Sequence, residues 1–151
     1  MTTSNDATPP GDAGRDAAEH PARVLILRAG DALAALPWAA AREVAKRPSL
    51  ARLPGAAPVV SGVTHVRGDF VPLVELGALL GHAVPIPTQG WIVVVEHAAQ
   101  AVAIGVDVLP ELRDVEATVT VPGDWITQGV RVEGRELPLI DAARLITDVL
   151  H

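Results

Sequence analysis

From Arg23 onward, short apolar runs alternate with Gly, Pro or charged residues. The first run, Val24–Leu27, ends at a Gly-Asp turn signal, and a second run continues from there to Trp38. Short runs rich in β-branched residues and separated by turn residues are typical of the strands of an all-β sandwich or barrel. The remaining runs lie at Val59–Val66, Phe70–Leu76, Trp91–Val95, Val102–Leu109, Gly129–Val132 and Leu137–Ile140.

Two segments depart from this strand pattern and predict helices, Leu76–Leu80 and Asp141–Leu150. In the second segment, four apolar residues between positions 145 and 150 fall on one face of a helix. Arg144 precedes Asp148 by one helical turn, a spacing that favours an ion pair. Asp141 is placed to cap the first turn.

An internal repeat determines the predicted architecture. Val63–Leu80 aligns with Gly129–Ile146 at an offset of 66 residues, and Val24–Val44 aligns with Ile92–Leu112 at an offset of 68. One such half, about 60 residues of short strands, is too small to bury a stable core alone. We therefore predict a mostly all-β fold of two pseudo-symmetric, small five-stranded β-barrels packed together, with short helices that include a C-terminal one.

The turns and prolines of the two halves correspond. Arg67-Gly68-Asp69 and Glu133-Gly134-Arg135 each place Gly between charged residues, which predicts tight hairpins. Pro72 and Pro138 cannot donate a ladder hydrogen bond, so each is expected at an edge or a bulge. The charges flanking the two glycines are reversed, which indicates either that the barrels present different surfaces or that solvated turns have drifted.

Composition bounds the domain organisation. The chain has 151 residues, of which 49% are hydrophobic and only 3% aromatic, so one compact domain with an aliphatic core is expected. Residues 1–20 have no apolar periodicity, and we predict that they form a disordered tail. The folded domain is predicted to span residues 21–151.

Charge and residue types exclude several classes of function. The absence of cysteine removes disulfides, thiolate metal sites and a cysteine nucleophile. A formal charge of −6 is a poor match for nucleic acid or anionic lipid. The chain starts without a signal-peptide pattern, and its apolar runs are too short to cross a bilayer. We therefore expect a soluble cytoplasmic protein that neither binds nucleic acid nor inserts into the membrane.

Side chains that carry chemistry form no recognisable constellation. The sequence has no GxSxG motif and no glycine-rich phosphate loop. Asp107, Asp124 and Asp141 are conceivable general acids, although structural roles are favoured for them. We expect no catalytic, cofactor-binding or metal-binding residue, and hence no enzyme. Histidines at metal-ligand spacing are also lacking among His20, His65, His82, His97 and His151.

Three separated motifs resemble the pattern of CheW-like domains. Leu53–Gly81 is similar to the family signature, with Arg-Gly followed by an apolar strand that contains Pro and ends at an acidic residue and Leu. Glu43-Val44 resembles the family's Glu-Val or Glu-Ile pair, and Ala101–Leu112 resembles its Gly-x-x-Val-Asp segment. The sequence departs from the family at His65-Val66, where Asn-Leu is usual, and at Glu75-Leu76, where Asp-Leu is usual.

The resemblance implies an adaptor without cofactor or catalytic activity. Such proteins bind the regulatory domain of a CheA-type histidine kinase and the cytoplasmic tip of methyl-accepting chemoreceptors, which places them in the cytoplasm at membrane-associated receptor arrays. Flagellar chemotaxis and a pilus or other chemosensory pathway both stay open, as does a small-molecule-binding barrel from a different class. The residues implied in partner binding are Arg67, Glu43, Val44, Gly68, Asp69 and Asp107.

Overall fold

The structure, a computed structural model, describes residues 21–48, 60–82, 89–122, 126 and 128–150. The predicted tail, residues 1–20, lies outside the described residues, as do Asp124, His20 and His151. Within the described part the chain forms eleven strands, a 3₁₀ turn at Trp38–Ala40 and two helices, α1 (Leu76–Leu79) and α2 (Ala142–Leu150). The strands are β1 (Arg23–Ala29), β2 (Ala32–Pro37), β3 (Ala41–Lys46), β4 (Val60–Val66), β5 (Asp69–Glu75), β6 (Trp91–His97), β7 (Gln100–Val106), β8 (Glu111–Asp114), β9 (Ala117–Thr120), β10 (Gln128–Val132) and β11 (Arg135–Pro138).

The strands form two curved, barrel-like units. Unit 1 is a five-stranded sheet in the order β3-β6-β7-β5-β4. Unit 2 consists of the sheets β8-β1-β2 and β11-β10-β9, which are joined by a parallel bridge between Ala35 and Leu139. The order in unit 2 is therefore β8-β1-β2-β11-β10, with β9 added at the end. This arrangement confirms the predicted mostly-β fold of two small barrel-like units.

The internal repeat extends to single ladder pairs. Leu73 on β5 pairs in parallel with Ala103 on β7. In the repeat alignment, Leu73 is equivalent to Leu139 at the offset of 66, and Ala103 is equivalent to Ala35 at the offset of 68. These are the two residues of the parallel bridge in unit 2. The strand order of unit 2 is likewise the order of unit 1 with each strand replaced by its repeat equivalent.

The repeat suggests that each half of the sequence forms one unit. The structure differs, because the two units do not coincide with the two halves of the sequence. Strands β1 and β2 come from the first half and lie in unit 2, whereas β6 and β7 come from the second half and lie in unit 1. The exchange is compatible with the parallel pairing of β5 and β7. Parallel strands cannot be joined by a tight hairpin, so the chain must leave the sheet of unit 1 after β5 and return to it before β7. Each unit is consequently completed by strands from the other half.

Three apolar clusters form the core. The inward residues of unit 1 include Leu73, Ile92 and Ala103. The largest of the three clusters lies between the units and includes Ile104 on β7 and Leu145 on α2. Ala103 and Ile104 are adjacent on one strand and point to opposite faces, so unit 1 is apolar on both sides. The inward residues of unit 2 are Val24, Ala35, Val130, Val132, Leu137 and Leu139.

The predicted hairpin turns are confirmed. Arg67 and Gly68 have φ of 49° and 89°, and Glu133 and Gly134 have φ of 51° and 80°. Positive φ at both positions of a two-residue loop is the pattern of a type I′ turn, which suits the twist of antiparallel strands. Ala98–Ala99 repeats the pattern without glycine.

The prolines occupy equivalent places, although β5 is an inner strand and not an edge. Pro72 faces Val63 of β4, and pairing of β5 with β7 begins one residue later. Pro138 faces Gly129 of β10, again one residue before the parallel bridge. Each proline therefore lies where its missing N–H is not required by the parallel ladder.

Both predicted helices form. The Asp141 carboxylate accepts a hydrogen bond from the backbone N–H of Arg144 at 3.2 Å, which confirms it as the cap of α2. Arg144 also pairs with Asp148 at 3.9 Å. No helix in the described ranges is long and apolar enough to cross a membrane.

Candidate interaction surfaces

An ion pair joins two of the predicted contact residues at one end of unit 1. Arg67 Nε donates to Glu43 Oε1 at 2.7 Å. The Arg67 side chain is 74% exposed, whereas that of Glu43 is 18% exposed. Glu43 therefore orients an arginine side chain that is mostly exposed.

This pair links strands at opposite sides of the sheet. Glu43 lies on β3, one edge of unit 1, opposite Val94 on β6. Arg67 lies in the hairpin between β4 and β5, at the other edge. Among the described residues no ladder joins β3 to β4, so side chains bring the two edges together. The pair thus contributes to the curvature of unit 1 as well as to its surface.

A second, buried ion pair also joins the β3 side of unit 1 to the β4–β5 hairpin, at the opposite end of the strands. The Arg47 guanidinium forms a bidentate pair with the Glu75 carboxylate, and the two side chains are only 2% and 7% exposed. Ser61 Oγ donates to Glu75 Oε2 at 3.1 Å. Gly105 makes room for the pair, because a Cβ there would lie 2.5 Å from both Arg47 Nη1 and Glu75 Oε1. We call these four residues the buried clasp.

In unit 2, the position of the Glu43–Arg67 ion pair is occupied by different residues. The equivalents of Glu43 and Arg67 are Glu111 and Glu133, which are both acidic. Arg113, equivalent to Ala45, lies 2.6 Å from Glu111 and 3.6 Å from Glu133 and so compensates both. Both units therefore have ion pairs at this place, but the residues that form them differ.

Charges are reversed at further equivalent positions. Asp69 corresponds to Arg135, and Glu96 corresponds to Arg28. Together with Arg67 and Glu133, these pairs give the two hairpin ends opposite charge patterns. The two hairpin ends therefore differ in charge, and both alternatives that the sequence left open, distinct surfaces and drift of solvated turns, are compatible with this difference.

The structure brings together four of the predicted contact residues, namely Glu43 and the hairpin Arg67-Gly68-Asp69. Val44 points to the other face of β3 and packs against the cluster between the units. Asp107 lies at the opposite end of unit 1, where its Oδ2 accepts a hydrogen bond from the backbone N–H of Gly30 at 2.6 Å. Asp107 thus holds the β1–β2 turn, and its role in partner binding stays a prediction.

An exposed aromatic pair near this site was missed by the sequence interpretation. Phe70 is 79% exposed and contacts the His65 ring, with a centroid distance of 5.2 Å. The equivalent residues of unit 2 are Arg131 and Glu136, which form an ion pair at 2.9 Å. The repeat alignment could have identified this pair as a candidate contact site. A charged pair at the equivalent position of unit 2 shows that the fold does not require aromatic residues there.

Metal-ligating side chains are not clustered in the described part of the chain. No group of three or more His, Cys, Asp or Glu side chains there is arranged to hold a metal ion. Several charged side chains near the hairpins, among them Arg67, Arg113 and Arg131, are engaged in ion pairs. What the arrangement offers chemically is charged and apolar recognition surface.

Comparison with known proteins agrees with this geometry. The family model of the CheW-like domain matches residues 23–148, so the chain belongs to the CheW-like domain family, which comprises scaffolding and adaptor proteins of chemotaxis. A chemotaxis protein CheW from Rhizobium meliloti (strain 1021) is 27% identical over 128 residues, covering 78% of this chain and 83% of the relative. The crystal structure of the scaffolding protein TtCheW from Thermoanaerobacter tengcongensis superposes with a TM-score of 0.67 at 18% identity, covering 80% and 88% of the two chains.

Proposed function

We propose that this protein couples methyl-accepting chemoreceptors to a CheA-type histidine kinase in the cytoplasm through protein–protein contacts. We assign one of these contacts to the surface formed by Glu43, Arg67, Gly68 and Asp69, which we call the hairpin-end surface. The coupling requires neither a cofactor nor a catalytic residue, because its output is the geometry in which the partners are held.

The observation that carries this proposal is the exposed but oriented guanidinium of Arg67. Nε of Arg67 pairs with Glu43, while 74% of the Arg67 side chain stays exposed and is accessible to a partner. Arginine is enriched at interface hot spots, and its planar donors suit carboxylates and carbonyls of a partner. Glu133 occupies the equivalent turn with nearly the same φ, so the turn itself does not require an arginine.

Coupling in such an assembly is a population shift. A kinase held against the adaptor exists in at least two states, and a change in receptor packing can shift them only by binding one state better than the other. Individual contacts can be weak, because linking many of them in one assembly raises the effective concentration of each partner.

The direct test is formation of a ternary complex. The full chain is mixed with a purified kinase regulatory domain and a receptor-tip fragment, and complexes are sized by light scattering after gel filtration. We expect binary complexes with each partner and a ternary complex when all three are present. Failure to bind either partner would refute the coupling function.

A further inference from the structure

We propose that Asp107 is a positioning residue that locks the end of β7 in unit 1 onto the β1–β2 turn of unit 2. It serves the adaptor through this lock and not by touching a partner. Asp107 and the two residues that it bonds, Arg28 and Gly30, are called here the inter-unit latch. Its effect on partner binding rests on the proposed adaptor function, whereas the latch itself can be measured without any partner.

Asp107 binds the turn with one donor and one acceptor. Its backbone N–H donates to the carbonyl oxygen of Arg28 at 2.9 Å, and its Oδ2 accepts from the backbone N–H of Gly30 at 2.6 Å. Asp107 directly follows β7, whereas Arg28 and Gly30 lie at the end of β1 and in the turn after it. Two hydrogen bonds from one residue to two others fix an orientation as well as a distance.

The N–H of Gly30 is a donor that the β1–β2 hairpin does not use. Ala29 and Ala32 flank the two-residue loop and pair with each other, so the N–H groups of the loop lie outside the ladder. Gly30 has φ of 59°, which glycine adopts readily. A Cβ at Gly30 would meet no atom within 4 Å, so lack of space does not explain the glycine. What glycine provides here is the turn conformation in which this N–H reaches Asp107.

The unit 1 side of the latch is held closely by β6. Val106, the residue before Asp107, is buried and faces Trp91 in the ladder between β6 and β7. A Cβ on Gly90 would lie 2.5 Å from the carbonyl oxygen of Val106 and 3.5 Å from the Cα of Asp107. The backbone at Asp107 is therefore fixed within unit 1, and its bonds to the turn transmit that position to unit 2.

The latch anchors one end of the segment by which the chain crosses from unit 1 to unit 2. This crossover comprises residues 107–110 and leads from the end of β7 to the start of β8. Its other end is anchored at Glu111, which faces Ile26 of β1. Val108 and Leu109, between the two anchors, are exposed, so core packing does not hold them in place. The position of the crossover therefore depends on its anchors, of which the latch is one.

The repeat shows that a hairpin of this kind folds without a latch. Asp107 corresponds to Ala39, and the β1–β2 turn corresponds to the turn at Ala98. The Ala39 side chain has no acceptor, and the described backbone hydrogen bonds include none from Ala39 to Glu96, the equivalent of Arg28. The turn at Ala98 nevertheless has a positive φ of 53°. The latch is thus present on one side of the molecule only, and we attribute it to positioning and not to turn formation.

The amide variant of Asp107 separates a latch from a direct partner contact. A latch needs an acceptor for the Gly30 N–H, and asparagine retains one. A partner contact made through the charge of Asp107 needs the carboxylate, which asparagine lacks. Asp107→Asn should therefore behave like the unmodified chain if Asp107 is a positioning residue, and Asp107→Ala should not.

The latch is tested by NMR of the full chain. We expect the Gly30 amide to exchange with solvent about tenfold faster in Asp107→Ala and less than about threefold faster in Asp107→Asn. The methyl order parameters of Val108 and Leu109 should fall in Asp107→Ala only. The matched control is Asp114→Ala, which removes an exposed aspartate from β8, also paired with β1 but away from the turn, and should change neither readout.

The consequence for the adaptor is tested by calorimetry with the kinase regulatory domain and the receptor-tip fragment. Asp107→Ala should bind at least one of them about tenfold more weakly, and Asp107→Asn should stay within about threefold of the unmodified chain. The amide spectrum of each variant reports its folding.

Three results would overturn the proposal. Unchanged exchange of the Gly30 amide in Asp107→Ala would show that there is no latch. Equal losses of affinity in Asp107→Asn and Asp107→Ala would assign the carboxylate to a partner contact, and unchanged affinity in both would remove any role in the adaptor. If the unmodified chain bound neither fragment, the proposed function would fail, whereas the exchange rates would still decide whether the latch exists.

Discussion

Loss of the Glu75 charge from the buried clasp is expected to destabilise the protein strongly. Glu75→Gln preserves the shape of the side chain and one acceptor, but it leaves the Arg47 guanidinium, whose side chain is 2% exposed, without a counter-charge. Ser61 Oγ, which donates to Glu75 Oε2 at 3.1 Å, does not replace that charge. A buried cation cannot be compensated by solvent, so the penalty falls on the folded state.

The magnitude follows from the burial of the pair. Removing one partner of a buried ion pair costs about 3–5 kcal/mol, and the retained amide places Glu75→Gln near the lower value. The matched control is Glu43→Gln, which breaks the pair with Arg67 and the longer contact with Arg42 at 4.0 Å; because Arg67 is 74% exposed, solvent compensates its charge when the pair is lost. An exposed pair contributes less than about 1 kcal/mol. The two variants thus make the same chemical change in two ion pairs that both join the β3 side of unit 1 to the β4–β5 hairpin.

Urea unfolding followed by circular dichroism measures both variants against the unmodified chain. We expect the midpoint of Glu75→Gln to fall well below that of Glu43→Gln, with similar slopes, because only the stability of the folded state changes. If Glu75→Gln cost less than about 1 kcal/mol, burial would not govern the clasp, and the reasoning would be refuted.

Three further changes probe the fold at other points. Gly68→Val and Gly134→Val should each cost about 1–3 kcal/mol in chemical unfolding, because a β-branched residue is strained at these positive φ values, and unchanged midpoints for both would contradict the turn assignment. Leu145→Ala removes a fully buried side chain between the units and should cost about 2–5 kcal/mol, and thermal unfolding at an unaltered temperature would argue against that packing. Phe70→Ser should leave the unfolding midpoint within about 0.5 kcal/mol of the unmodified chain, since the ring is 79% exposed, and a large loss would assign Phe70 to the core instead.

The sequence predicted the architecture because the repeat is encoded in residue types that the fold needs. Offsets of 66 and 68 residues identified the equivalence of the two units, and the structure extends it to the pairs Leu73–Ala103 and Leu139–Ala35. An offset records which residues are equivalent and not which strands pair. The exchange of β1–β2 and β6–β7 between the units was for that reason not predictable from the alignment.

Three strands, β3, β8 and β9, escaped the search for apolar runs. Each lies at the edge of its sheet, and their residues are mostly half-buried or exposed. A strand that buries only part of one face carries few apolar residues, so periodicity signals it weakly.

The candidate site was predictable in part. Arg67 and Glu43 were both identified from the sequence, but their contact spans the whole sheet and depends on its curvature. The contact of Arg47 with Glu75 in the buried clasp also depends on the curvature of the sheet. The local sequence around either residue does not predict the other as its partner. Contacts of this kind follow from the tertiary fold, which the linear pattern does not contain.

We propose that Arg67 acts on a partner rather than within the chain, and calorimetry with three variants provides the direct test. Arg67→Glu should weaken binding to the kinase regulatory domain or the receptor-tip fragment by about 2–5 kcal/mol, whereas the sister-turn change Glu133→Arg should have a much smaller effect on the same interface. The double variant Arg67→Glu with Glu43→Arg restores the internal ion pair with its charges exchanged, and we expect it to bind as weakly as Arg67→Glu alone. Unmodified affinity of the double variant would show that the pair serves only to hold unit 1 together, and would contradict the account.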